Sequence, residues 1–348
     1  MFMKIRISVF ILTFIMLLTV LAGCADGAQS GKQSEEGSTA GSGSSSALIS
    51  ENETDVPDDY ILRVGTLMGP TGMGMAKLIN DNKTDKKYDF TLSSSPTDIS
   101  AALISKSLDI AAVPVNLAAV INKKTEGEYL VAAVNTLGVL YILENGNTVS
   151  SISDLAGKTL YATGQASTPE YILNYILQKN NLDTVTVEYK TEHSELATLM
   201  ASGDAVLGML PEPNVTTVLT KNENVRIALN LTEEWKKVSD GEAVQGCIVV
   251  SKDALENHKA LVDSFLEEYK ASVAYVNDNI AEAAAMIADI GIVPSAAVAE
   301  KAIPNCNIVY IDGDEMVSIL TEFYKVLYDA SPASVGGKLP DESLYYKK

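Results

Sequence analysis

From Tyr60 onward the chain alternates short apolar runs with amphipathic stretches, and this alternation limits the folds open to it. Residues 60–67, 88–93 and 109–113 are apolar, β-prone and of strand length. A helix follows the first run to about Asn82. Ser94-Ser95-Pro96-Thr97-Asp98 opens a second helix that runs to Ser105, and Pro114 suits the first turn of a third that continues to Asn122. A β-α-β-α order predicts a parallel-type sheet with helices on both faces. A second cycle begins after Ser153-Asp154-Leu155-Ala156-Gly157-Lys158. Residues 159–162, 185–189, 205–209 and 225–229 read as strands, and 170–179, 192–200 and 213–220 as helices between them. The apolar run 129–143 is too long for one ordinary strand. Its end is mirrored by the run within 242–252, and the two read as crossing segments between two lobes. Beyond Ala254 the chain is mostly helix, ending in turn residues within 331–340.

The two cycles open alike, with a strand, a turn bearing Gly and Thr, and a helix. In the first, Gly69-Pro70-Thr71-Gly72-Met73-Gly74 joins a strand to Met75, Leu78 and Ile79 at helical spacing. Such a turn offers free backbone N–H groups and a helix start to an anion or polar atom. Thr71 adds a hydroxyl, and Met68 and Met73 add soft apolar contact. No Gly-Lys-Ser/Thr follows, which excludes a P-loop, and the glycine spacing excludes a dinucleotide fingerprint. A tight turn without a ligand remains open. The second cycle supplies Gly164-Gln165-Ala166-Ser167-Thr168-Pro169, which is expected to face the first turn across a cleft.

The N-terminus sets the compartment. Lys4 and Arg6 precede an apolar run over 7–21, and Leu21-Ala22-Gly23-Cys24 has the order of a bacterial lipoprotein signal cut before the cysteine. Residues 1–23 are therefore expected to be removed and Cys24 lipidated. The alternative is an uncleaved anchor, for which the run is short. Either way the body of the protein lies outside the cytoplasm. Residues 24–58 are rich in Gly, Ser, Glu and Asp and are expected to form a disordered tether.

Formal charge is −19 and becomes −21 when Lys4 and Arg6 leave. Such acidity disfavours nucleic acid and anionic membrane surfaces as partners. Cys247 and Cys306 could pair in this compartment, but their apolar flanks favour two buried free thiols. His193 and His258 lie in polar helical stretches without carboxylate or Cys partners at metal spacing. No catalytic set, metal site or cofactor motif is visible. Arg63 and Arg226 sit in or near strands, so no guanidinium clamp is visible in the turns.

Taken together, the signal, the tether and two α/β lobes resemble a solute-binding lipoprotein of an ABC importer, similar to the sulfonate, taurine, nitrate and thiamine-precursor subgroup. The residues that carry this are 153–158, Pro211-Glu212-Pro213, and Ile248-Val249-Val250-Ser251-Lys252 with Phe265. The resemblance implies a type II periplasmic-binding-protein-like fold, each lobe a mixed sheet flanked by helices, with two hinge crossings. Lobe I would take 59–142 and 249–348, and lobe II 143–248. It implies no cofactor, a small-molecule ligand, a permease and its ATPase as partners, and a monomer anchored through Cys24. The pocket would be lined by Met68, Thr71, Gly72, Met73, Ser94, Ser95 and Asn116 from one lobe. The other would supply Gln165, Ser167, Thr168, Glu212 and Asn214. Ser94, Ser95 and Ser167 can equally serve as helix caps, and Glu212 can pair within its own lobe. Enzymes of cofactor biosynthesis share this architecture, and a ligand sensor without transport is a further alternative.

Overall fold

The structure is a computed structural model that describes residues 60–348. The signal segment, Cys24 and the 24–58 tether lie outside the described residues. The strands are Leu62–Leu67 (β1), Tyr88–Ser93 (β2), Ile110–Pro114 (β3), Tyr129–Leu137 (β4), Leu140–Asn145 (β5), Thr159–Ala162 (β6), Thr186–Tyr189 (β7), Leu207–Pro211 (β8), Val225–Asn230 (β9), Val244–Ser251 (β10) and Ile308–Ile311 (β11). They form a six-stranded sheet in the order β11-β4-β10-β3-β1-β2 and a five-stranded sheet in the order β7-β6-β8-β5-β9.

The two sheets share one plan. In each, the first strand lies between the second and the third, and an antiparallel strand separates the third from the fourth. In the first sheet that antiparallel strand is β10, between β3 and β4. In the second it is β5, between β8 and β9. The parallel strands β1, β2 and β3 therefore end at the edge where β4 ends and β10 begins. Likewise β6, β7, β8 and β9 end where β5 begins. Because β4 leads into β5 through Gly138 and Val139, the two carboxyl edges are brought together.

The long run 129–143 is thus two strands in two sheets. The change of sheet falls at Gly138 and Val139, and the return falls before Val244, in place of the expected boundaries at 142/143 and 248/249. Hydropathy cannot locate such a boundary, because both strands are buried on both sides of it. Gly138 passes close to its neighbours: a Cβ there would lie 2.2 Å from Thr232 Oγ1. Asn307 Nδ2 donates to the Gly138 carbonyl and holds the crossing against lobe I. Two further elements were not legible as such: strand β11 and the short helix Leu231–Lys236.

β1 shows how the sheets are filled. Leu62 and Val64 join a core with Val262, Phe265 and Tyr269 of the helix Lys259–Asp278. Leu67 joins a second core that also holds Val113 and Val134 of the first sheet and Ile142 and Leu160 of the second. That second core is continuous through Phe323 of the helix Gly313–Ala330, whose ring lies 5.5 Å from that of Trp235. The C-terminal helix therefore straps the two sheets together by apolar burial, the main favourable term in folding. Cys247 and Cys306 are buried and free, and burial pushes both thiols well above their usual range.

Candidate functional site

The carboxyl edges meet at two reciprocal points. After β1, Gly69 takes φ 91° at the start of the one-turn helix Pro70–Met73. It lies against Pro213 of the turn after β8, whose Cδ would be 3.9 Å from a Cβ on Gly69. After β3, Asn116 is buried and accepts a 3.0 Å hydrogen bond from Thr168 Oγ1, at the first residue of the helix after β6. The turn after the first strand of each lobe thus meets the turn after the third strand of the other. The expected pairing of Gly69–Gly74 with Gly164–Thr168 does not appear among these contacts.

The first turn is also built differently from expectation. Its helix stops after Met73, and a separate helix, Ala76–Asp85, begins after Met75. A single turn carries little macrodipole, so this helix start is not an anion site by itself. Thr71 Oγ1 donates back to the Leu67 carbonyl at 3.3 Å. Gly72 is required by close approach, since a Cβ would lie 2.4 Å from the Leu67 carbonyl oxygen. Met73 is fully buried in the core of lobe I, its sulfur 3.9 Å from Cys306 Sγ, and so packs inward. Met68 is 46% exposed at the rim.

Other nominated side chains are placed as follows. Ser94 and Gln165 are exposed. Ser95 caps the helix Pro96–Ile104 through Asp98 N, which commits its hydroxyl locally. Ser167 stands before the helix Thr168–Lys179, half-buried and without a side-chain capping bond. Asn214 is half-buried at the start of the helix Asn214–Lys221. Asn116, Thr168 and Glu212 are the nominated polar side chains that are fully enclosed.

Glu212 is 2% exposed and accepts from Thr216 N at 3.1 Å and Thr216 Oγ1 at 3.0 Å. Burial raises its carboxyl to about 7, and these two bonds only partly oppose the rise. Its charge in turn adds to the burial-driven rise of the Tyr141 phenol, to about 12, and of the Cys306 thiol. Tyr141 also reaches across, donating to the Asn305 carbonyl at 3.4 Å.

Several polar side chains at this edge escaped sequence reasoning. Asn135 and Thr136, near the end of β4, are buried with both Asn135 amide atoms and Thr136 Oγ1 unpartnered. Gln245 Nε2 at the start of β10 and Thr66 Oγ1 near the end of β1 are buried in the same way. Each such group costs about 1–3 kcal/mol when left unsatisfied. The signal was present as polar interruptions in the apolar runs VNTLGVLYIL and VQGCIVV. His193, in a polar helical stretch, is half-buried, with Nδ1 2.7 Å from Thr163 Oγ1, and burial lowers its pKa to about 4. Arg63 is held by Asp109 and Arg226 by Glu144, both nearly fully buried carboxylates. No group of His, Cys, Asp and Glu among the described residues is arranged to hold a metal ion.

A family model described as NMT1/THI5 like matches residues 94–283, more than half of the chain. The chain belongs to the NMT1/THI5-like family. No curated protein sequence matches it. Solved structures share the fold of this NMT1/THI5-like protein. An ABC transporter structure from Parabacteroides distasonis is 24% identical, with a TM-score of 0.71, covering 83% of this chain and 100% of its own. The periplasmic aliphatic sulphonate binding protein SsuA from Escherichia coli is 15% identical, with a TM-score of 0.67, covering 82% and 92%. The ligand binding component of an ABC-type import system from Staphylococcus aureus, solved with zinc bound, is 14% identical, with a TM-score of 0.65, covering 82% and 96%. The NMT1/THI5-like chain thus has the two-lobed periplasmic-binding-protein fold, with a mixed sheet in each lobe and two crossings between them.

Proposed function

We propose that this protein captures a small polar solute between its two lobes and delivers it to an ABC permease with its ATPase. The observation that carries the reading is the meeting of the two carboxyl edges across the crossings, with buried polar side chains of both lobes between them. Ligands of open α/β sheets bind outside the carboxyl ends of the strands. The named functions of the structural neighbours, an ABC transporter and a sulphonate binding protein, support the same reading. A ligand that touches both lobes favours the closed arrangement by its difference in affinity for the two states, and closure makes one surface for a permease to recognise. The protein works as a monomer outside the cytoplasm, tethered through lipid on Cys24, and releases the solute chemically unchanged.

The test pairs thermal-shift screening of small polar solutes with solution scattering. A solute that raises the melting temperature should also reduce the radius of gyration, and mass spectrometry should recover it intact. Binding without compaction would place the site elsewhere, and accumulation of product would make the protein an enzyme.

A further inference from the structure

The unpartnered buried polar atoms are concentrated at one place. Asn135 Oδ1 and Nδ2, Thr136 Oγ1 and Gln245 Nε2 lie on the adjoining ends of β4 and β10, and Thr66 Oγ1 lies near the end of β1. The Tyr269 hydroxyl faces Asn135 without forming a satisfied bond. Among the described residues, the remaining such atoms are the hydroxyls of Tyr88 and Tyr189, on β2 and β7.

Gly246 is the point that Asn135 and Thr136 approach. A Cβ at Gly246 would lie 2.6 Å from Asn135 Oδ1, 3.0 Å from Thr71 Cγ2 and 3.5 Å from Thr136 Oγ1. The absence of a side chain on β10 here lets the Asn135 amide and the Thr71 turn approach one strand from the same side. Gln245 is passed over by the ladder, whose register runs from Val244 opposite Leu137 to Gly246 opposite Thr136. Bulges of this kind re-aim a side chain at the end of a strand. Three amide or hydroxyl side chains are thus held on the crossing strands themselves.

The chemistry of this group is neutral. Its atoms are amides and hydroxyls, and the guanidinium groups of Arg63 and Arg226 are committed to Asp109 and Glu144. The other lobe contributes a carboxyl group, Glu212, which is buried and bonded to Thr216. An oxyanion presents only acceptors, so it would satisfy Asn135 Nδ2 and leave Oδ1 facing negative charge. A group with a donor beside an acceptor satisfies both amide atoms in one plane.

We propose that Asn135, supported by Thr136 and Gln245, determines the specificity of the interlobe site, and that it selects uncharged solutes bearing a carboxamide or ureido group over oxyanions. This rests on the interlobe reading of function. It also names a residue whose replacement separates recognition from folding. Replacing Asn135 by Leu removes the two unsatisfied atoms, so the ligand-free protein keeps its stability or gains some. A purely structural amide, satisfied inside lobe I, would instead make the same variant less stable.

The experiment is calorimetric titration of the wild type and of Asn135→Leu and Asn135→Asp, with scattering at saturation. The probes are a series of aliphatic carboxamides and ureas, with alkylsulfonates and nitrate as matched oxyanions. The expected result is compaction with a carboxamide or urea, at least tenfold weaker binding in both variants, and an unchanged or higher melting temperature for ligand-free Asn135→Leu. Compaction with an oxyanion and unaltered affinity in the variants would overturn this assignment while leaving solute capture intact. Binding without compaction would overturn the interlobe reading and this assignment together. Failure of every carboxamide and urea to bind, or a clear loss of ligand-free stability in Asn135→Leu, would also overturn it.

Discussion

Thr168 Oγ1 donates to Asn116 Oδ1 at 3.0 Å, joining a turn of one lobe to a turn of the other where both side chains are buried. The bond has a counterpart at Gly69 and Pro213, where the same two turn types meet with the lobes exchanged. A pair of contacts related in this way resists sliding in either direction. It also makes closure depend on turns that follow parallel strands, which the sheets hold in place.

Replacing Thr168 by Val tests that bond. The variant keeps the shape and leaves Asn116 Oδ1 buried without a donor, at a cost of about 1–3 kcal/mol. If the lobes meet only on closure, most of this cost appears in ligand affinity, measured by titration. Adding Asn116→Leu removes the orphaned atom, so the double variant should bind better than the sum of the single effects allows. Additive losses would show that the two side chains do not act as a pair.

Stability should depend on pH through the buried Glu212 and the half-buried His193, which act with opposite sign. Glu212 rises from 4.5 to about 7 on burial, so its contribution is fully present below about 4.5 and is lost as pH rises through about 7. The full shift corresponds to roughly 3 kcal/mol as an upper bound. His193 falls from 6.5 to about 4, so its contribution is present above 6.5 and is lost as pH falls through about 4. Between about 4.5 and 6.5 the two slopes oppose each other. Glu212→Gln should therefore unmask a stability that increases with pH across that range, read from denaturant midpoints. Parallel curves for the variant and the wild type would mean that Glu212 is solvated.

The crossing at Gly138 leaves no room for a side chain, because Thr232 Oγ1 would stand 2.2 Å from a Cβ. Gly138→Ala should cost about 1–3 kcal/mol through overpacking, seen as a lower melting temperature. Combining it with Thr232→Ala removes the nearest atom and should restore part of the loss. A melting temperature unmoved by the single substitution would show that the crossing shifts freely.

Anchoring is tested on Cys24. Cys24→Ser should abolish labelling by an acyl probe and release the protein from the membrane fraction. Unchanged labelling of that variant would disprove lipidation at this position.

The alternation of apolar runs and amphipathic stretches was enough to establish an α/β architecture, because period 2 and period 3.6 are local properties of the chain. The length of the run 129–143 was enough to announce a crossing. Three things awaited the tertiary structure. Which turns meet depends on how two copies of one sheet plan are placed, and that relation is set by the crossings rather than by any single turn. Met73 carries the residue type of a binding turn, yet the packing of Cys306 and the Lys259–Asp278 helix draws its side chain inward. Asn135 looked like one polar residue in an apolar run. Its meaning came from Gly246 on the antiparallel neighbour, more than a hundred positions away in the chain, because only strand pairing brings those two positions into contact.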